Sequence, residues 1–178
     1  MEANHGAMDF YLQTLQDEVN EAIRGCDFAN LTRPQEGKWS AAEVLEHLYL
    51  TYLGTTKSLE RCLQQGQPLA RAVTGRDRVR TAIVIGLGYL PTGRKSPERA
   101  LPKGMPVEQV VKEITSQLAA MDEALARCEA HFGRKTRLFD HPNLGPLTAR
   151  QWRKFHLVHG RHHVRQLRKL TSTGNPKS

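Results

Sequence analysis

Ser40-Ala-Ala-Glu43-Val-Leu-Glu-His47-Leu-Tyr-Leu-Thr-Tyr52 opens the stretch that decides the fold. Ser40 and Glu43 are spaced as a capping box: the hydroxyl accepts from a free backbone N–H of the first turn, and the carboxylate reaches back to the amide of the cap. Val44, Leu45, Leu48, Tyr52, Leu59 and Leu63 then recur at helical spacing, and Gly66 ends the run. The text therefore predicts a helix from Ser40 to about Gln64, with one apolar stripe that has to be covered by other helices.

Three more segments supply such partners. Phe10, Leu12, Leu15, Val19, Ala22 and Ile23 mark a helix from about Met8 to Cys26, followed by a loop over Asn30 to Gly37 that contains Pro34. Pro106, suited to a first helical position, opens a third long helix reaching about His131 through Val107, Val110, Ile114, Leu118, Met121, Leu125 and Cys128. Thr148-Ala-Arg-Gln151 is a second capping-box sequence and starts a last helix running to about Leu170. Between them, Phe139 to Leu147 reads as a loop, because no segment alternates apolar and polar residues with hairpin turn signals. Residues 67 to 105 are the least legible: a short helix over Asp77 to Leu87 is expected, then a long ordered loop or mobile lid from Pro91 to Met105. The expected fold is all-α, a four-helix bundle with a short extra helix and a long loop between the second and third long helices. It forms a single domain over 1–178, with residues 171–178 a frayed tail.

Composition narrows the functional classes. Three cysteines, Cys26, Cys62 and Cys128, stand far apart without C-x-x-C spacing, which points to reduced thiols and away from a disulfide framework or thiolate zinc site. The beginning of the chain has no signal-peptide pattern, and the longest apolar stretch, Ala82 to Leu90, is interrupted by Gly86 and Gly88. A cytoplasmic protein without membrane association is expected. The net charge of +8 is unevenly spread: residues 1 to 60 carry 4 Lys+Arg against 10 Asp+Glu, leaving 22 against 8 in the rest. An acidic first part facing a basic second part within one bundle explains this split. A nucleic-acid surface is the other reading, but the basic last helix (Arg150, Arg153, Lys154, Arg161, Arg165, Arg168, Lys169) has few interleaved aromatics and no DNA-reading motif, so nucleic acid is not expected as a partner.

The last helix also carries His156-Leu-Val-His159-Gly-Arg-His162-His163-Val-Arg-Gln166, half of the chain's eight histidines. His159 and His163 are four apart, so their rings leave one helical face one turn apart, where two imidazoles can share a divalent cation. His47 lies beside the apolar stripe of the second helix, and its position suits either a hydrogen-bonded core histidine or a third ligand.

Taken together, Trp39-Ser-Ala-Ala-Glu43-Val-Leu-Glu-His47-Leu, Asp140-His-Pro-Asn-Leu-Gly-Pro-Leu-Thr148 and His159-Gly-Arg-His162-His163-Val-Arg-Gln166-Leu resemble the DinB/YfiT-like superfamily of metal-dependent enzymes. The likeness extends over nearly the whole chain in helix order and loop placement. It implies that His47, His159 and His163 hold one divalent metal ion inside the bundle, zinc or nickel first, iron or manganese as alternatives. It further implies a hydrolase or a thiol-dependent transferase or isomerase acting on a small molecule, with a low-molecular-weight thiol as co-substrate in the second case, and a homodimer. A non-catalytic metal-binding bundle, or a nucleic-acid-binding stress-associated one, is the alternative.

Three neutral imidazoles leave the full +2 charge on such a centre, enough to acidify a bound water or thiol strongly. Gly160 stands where H-E-x-x-H would place glutamate, so a zincin-type protease is not expected and no general base is apparent. Gln166, three beyond His163, matches a frequent position of the resembled superfamily and is expected either to orient a ligand or water from behind the metal ligands or to make a plain polar contact. His162, about 100° off the ligand face, is expected at the surface or in a partner contact, and His156, three before His159 and able to approach the rim of the site, is expected to stay out of it. His141 is expected to fix its loop, Glu43 to cap, and Trp39 and Trp152 to anchor loops to the bundle.

Overall fold

The structure, a computed structural model, describes residues 7–90 and 96–172. Four long helices form the bundle: α1 (Phe10–Ile23), α3 (Ala41–Gln65), α5 (Val107–Phe132) and α6 (Ala149–Ser172). Short helices α2 (Phe28–Thr32) and α4 (Gly75–Thr81) lie in the connections, and α4 runs on into a π-helical turn, Ala82–Gly86. A 3-10 turn (Glu98–Ala100) precedes α5, and strands β1 (Arg137–His141) and β2 (Gly145–Thr148) lie between α5 and α6.

Helix α3 lies along α5, and α1 along α6. Their stripes meet in one core that includes Leu12, Leu15, Leu45, Leu48, Tyr52, Met121, Leu125 and Leu167, all fully buried or nearly so. Each such large apolar side chain contributes roughly 1.5–3 kcal/mol through its removal from water. The caps read from the sequence are present. Glu43 N donates to Ser40 Oγ while the Glu43 carboxylate accepts from Ser40 N at 2.7 Å. Thr148 and Gln151 make the same reciprocal pair at the start of α6. Pro106 is the N-cap of α5 rather than its first helical residue.

Three expectations need correction. Phe139 to Leu147 is not loop but belongs to an antiparallel hairpin pairing Phe139 with Leu147, Asp140 with Pro146 and His141 with Gly145, with a bulge between Arg137 and Phe139. Strands of five and four residues are too short to display alternation, and Pro146 argues against a strand unless the strand is an edge, as both strands of a two-stranded sheet are. Asp27 caps the unexpected α2 by accepting from Asn30 N at 2.7 Å, inside what read as a turn-rich loop. The first helix is shorter than expected at both ends, because Asp9 caps it and the chain turns at Arg24. Of the two readings of Pro91 to Met105, the described part fits the ordered loop: the buried Glu46 carboxylate accepts from the backbone N–H groups of Lys103, Gly104 and Met105 at 2.7, 3.1 and 3.2 Å. Residues 91–95 of that segment, and 173–178 of the expected tail, lie outside the described residues, while Thr171 and Ser172 are still helical.

The hairpin is braced against α4. Arg71 holds Asp77 through two hydrogen bonds of 2.7 and 2.9 Å and reaches Asp140 at 3.5 Å. Gly145, at φ 74°, is packed so closely that a Cβ would lie 2.5 Å from the Asp77 carboxylate. Two basic residues of α6 turn inward or sideways onto acids: Arg161 grips Glu18 of α1, and the buried Arg153 meets Asp122 at 2.7 Å and Glu129 at 2.9 Å. Among the described residues no helix is long and apolar enough to cross a membrane.

Candidate metal centre

His47 projects from α3 and His159 and His163 from α6, and the bundle aims all three rings at one point. His159 Nε2 lies 3.4 Å from His47 Nε2 and 3.2 Å from His163 Nε2. Among the described residues this is the group of histidine, cysteine and carboxylate side chains placed to hold a metal ion.

The outer nitrogens fix the tautomers. His47 Nδ1 is 2.7 Å from the carbonyl oxygen of Ala100, which can only accept, so Nδ1 carries the proton and Nε2 keeps its lone pair. His163 Nδ1 likewise donates to Gln166 Oε1 at 2.8 Å, and the Gln166 amide nitrogen faces His162 Nε2 at 3.3 Å. Two lone pairs thus face His159 Nε2, and a single proton there satisfies only one of them. A divalent cation satisfies all three nitrogens. Ligand nitrogens about 2.0–2.1 Å from a tetrahedral ion stand roughly 3.3 Å apart, matching the two spacings from His159 Nε2, and all three ligand atoms lie within 4.8 Å of one another. His159 lacks the outer partner of the other two, since its buried Nδ1 has no hydrogen bond.

The electrostatics suit a cation other than a proton. Burial, then the charge of His47, pushes His163 down to about 3. Burial followed by its two histidine neighbours holds His159 well below the ordinary imidazole value, and burial outweighs the Ala100 hydrogen bond to lower His47. At neutral pH all three rings are neutral ligands.

Around the centre, Phe155 stacks on His159 with ring centroids 5.5 Å apart, and Trp39 tilts against His47 at 5.1 Å. The three histidines open on a cavity of about 870 Å³ between α3, α6, the π-helical turn and the loop before α5. No aspartate or glutamate lines it among the described residues.

The remaining sequence candidates separate clearly. His156 lies away from the ligands, fully buried, with Nε2 3.2 Å from Thr55 Oγ1 and its ring against Trp152 and Tyr52. His162 is not merely a surface residue, because it lines the cavity and contacts Gln166. His141 fixes its turn, its Nδ1 accepting from Asn143 N and Leu144 N at 3.1 and 3.2 Å. Trp152 anchors the hairpin by stacking on Phe139 at 4.3 Å. Gly160 points away from the site toward α1, where a Cβ would collide with the Leu15 side chain. Sequence reasoning missed Glu46. Its one signal was an acid inside the apolar run Val44 to Leu48, which reads equally well as the polar edge of a helix.

A four-helix bundle that converges three neutral imidazoles from two of its helices onto one cavity has the arrangement in which bundles can hold a metal ion on side chains of facing helices. Comparison with protein families matches residues 11–167 to the DinB superfamily, and the chain belongs to that superfamily. No curated protein and no solved structure matches the chain.

Proposed function

We propose that this DinB-superfamily protein is a metal-dependent enzyme that holds one divalent cation through Nε2 of His47, His159 and His163 and acts on a small molecule with the help of a low-molecular-weight thiol. The observation that carries the reading is the convergence of three Nε2 atoms, two of them aimed by an Nδ1–H bond to a fixed oxygen. Imidazole donors favour zinc or nickel, with iron or manganese compatible. Such an ion supplies Lewis acidity, lowering the pKa of a coordinated thiol or polarising a carbonyl.

The protein's own part is positional. The Ala100 carbonyl and Gln166 hold two rings in register, Phe155 and Trp39 exclude water from the flanks, and the cavity receives the substrate. Thiol-dependent transfer or isomerisation is taken as the first reading and hydrolysis as the second: no carboxylate lines the cavity among the described residues, so a hydrolase would have to draw its base from His162 or His141, which do line it. A hydrolase of this kind would need a general base within hydrogen-bond reach of the attacking water.

Metal-loaded protein supplied with glutathione or cysteine and a fluorogenic electrophile tests the reading. Thiol consumption that depends on the metal and is lost in His163→Ala is the expected result. Thiol-independent ester or amide hydrolysis would replace this reading with the hydrolase.

A further inference from the structure

The cavity above the three histidines is unusually one-sided in charge. Lys57 of α3, Arg80 of α4, and Arg99 and Lys103 of the loop before α5 all line it, and no acidic side chain does among the described residues. Some cations elsewhere do meet carboxylates, as the half-exposed Arg127 meets Glu60 and Arg161 meets Glu18, and the buried Arg153 meets Asp122. None of the four cavity cations has a carboxylate within ion-pair distance among the described residues. Arg80 leans instead on a neutral acceptor, the Asn143 carbonyl, at 3.3 Å.

Three separate elements therefore bring like charges to one concavity, an arrangement that repels itself and raises the local concentration of anions. Lys57, Arg99 and Lys103 are exposed, at the solvent side, while His47, His163 and Phe155 are buried, at the inner side. The field reaches inward as well: after burial, the charge of Arg99 is what lowers His141, which stands at about 4. The same cavity is lined by apolar side chains as well, among them Leu144, Phe155, Ile83 and Val84.

From this layout we infer that the cavity selects small amphipathic anions, seating a carboxylate or phosphate against Arg80, Arg99 and Lys103 and an apolar body between these cations and the histidines. The assignment of the inner end as the reacting end rests on the metal-centre reading above; the anion subsite itself does not. Arg99 and Lys103 flank Ala100, whose carbonyl fixes His47, so the loop that would grip the anion also positions a candidate ligand.

Calorimetric titration with phenylsuccinate, a dianion on an apolar ring, against its neutral diamide tests the subsite, with phenyl phosphate as a second arm. Each is run on metal-loaded and metal-free protein. The expected result is preference for an anion over the diamide in both forms, falling with added salt. Arg99→Glu/Lys103→Glu should weaken anion binding by about tenfold or more, leaving metal stoichiometry unchanged. Stronger phenyl phosphate binding would assign a phosphate, stronger phenylsuccinate binding a carboxylate. Equal affinity for anion and diamide, no detectable binding of any of the three, or an unaffected double variant would overturn the subsite. Anion preference present only with metal bound would overturn it too, since the anion would then be sitting on the metal centre. Anion selectivity in a protein that takes up no metal would leave the subsite standing and remove the metal reading.

Discussion

His163 and Gln166 are joined by a 2.8 Å hydrogen bond from Nδ1 to Oε1, one turn apart on α6, and this bond points the opposite ring nitrogen at His159. Gln166→Leu removes the acceptor while keeping an apolar side chain of similar size. Metal affinity measured by competition with a chelator is expected to fall about 10–100-fold, and Gln166→Glu, which keeps an acceptor, to retain most of it. Equal affinities in Gln166→Leu and wild type would show that the bond does not serve the centre.

Glu46 gives a second test of support from behind the site. Its carboxylate accepts three backbone N–H groups of the loop that also carries the Ala100 carbonyl. Glu46→Gln loses the charge and part of this acceptor capacity, at about 1–3 kcal/mol of stability. Denaturant unfolding should register that loss, and metal affinity should fall with it because His47 loses its anchor. A loss of stability with unchanged metal affinity would separate the loop from the centre.

Helix packing makes a third prediction. Gly160→Ala places a methyl group into the Leu15 side chain between α6 and α1, and overpacking of this kind costs about 1–3 kcal/mol. Unfolding midpoints of Gly160→Ala and of the double variant with Leu15→Ala check the cause. The second change should relieve much of the penalty of the first; strict additivity would place the strain elsewhere.

The pH dependence follows from the buried imidazoles. His156 is lowered to about 3 by burial and then by His141, and His141 to about 4 by burial and then by Arg99. In the unfolded chain both return to about 6.5, so below that pH the unfolded state binds more protons. Their contribution is complete above pH 6.5 and declines as the pH falls toward 4 and 3. Metal-free protein should therefore be less resistant to urea at pH 5 than at pH 7, and His156→Gln should flatten this slope. A wild-type stability that is level across that interval would contradict the account.

The sequence made the long helices and the His159/His163 pair readable because both signals are local. Ser40 with Glu43 and Thr148 with Gln151 announce helix starts, and an i, i+4 pair has its geometry set by the helix itself. His47 needed the family resemblance, since nothing in its own surroundings separates a ligand from a core histidine. The hairpin stayed hidden because Phe139 to Leu147 is short and contains two prolines, and its pairing is held by Arg71 and Asp77 from another part of the chain. Glu46 and the cavity cations were illegible for the same reason: their partners and neighbours come from elements whose meeting no local pattern encodes.

The central claim, one divalent ion on three histidines, is tested most directly by the metal content of protein purified without an affinity tag. The comparison set is the wild type and folded His47→Ala, His159→Ala and His163→Ala variants. The account predicts about one zinc, nickel, iron or manganese ion per wild-type chain and its loss in each variant. Wild-type protein that takes up no divalent ion on reconstitution, or a stoichiometric ion that survives all three substitutions, would contradict it.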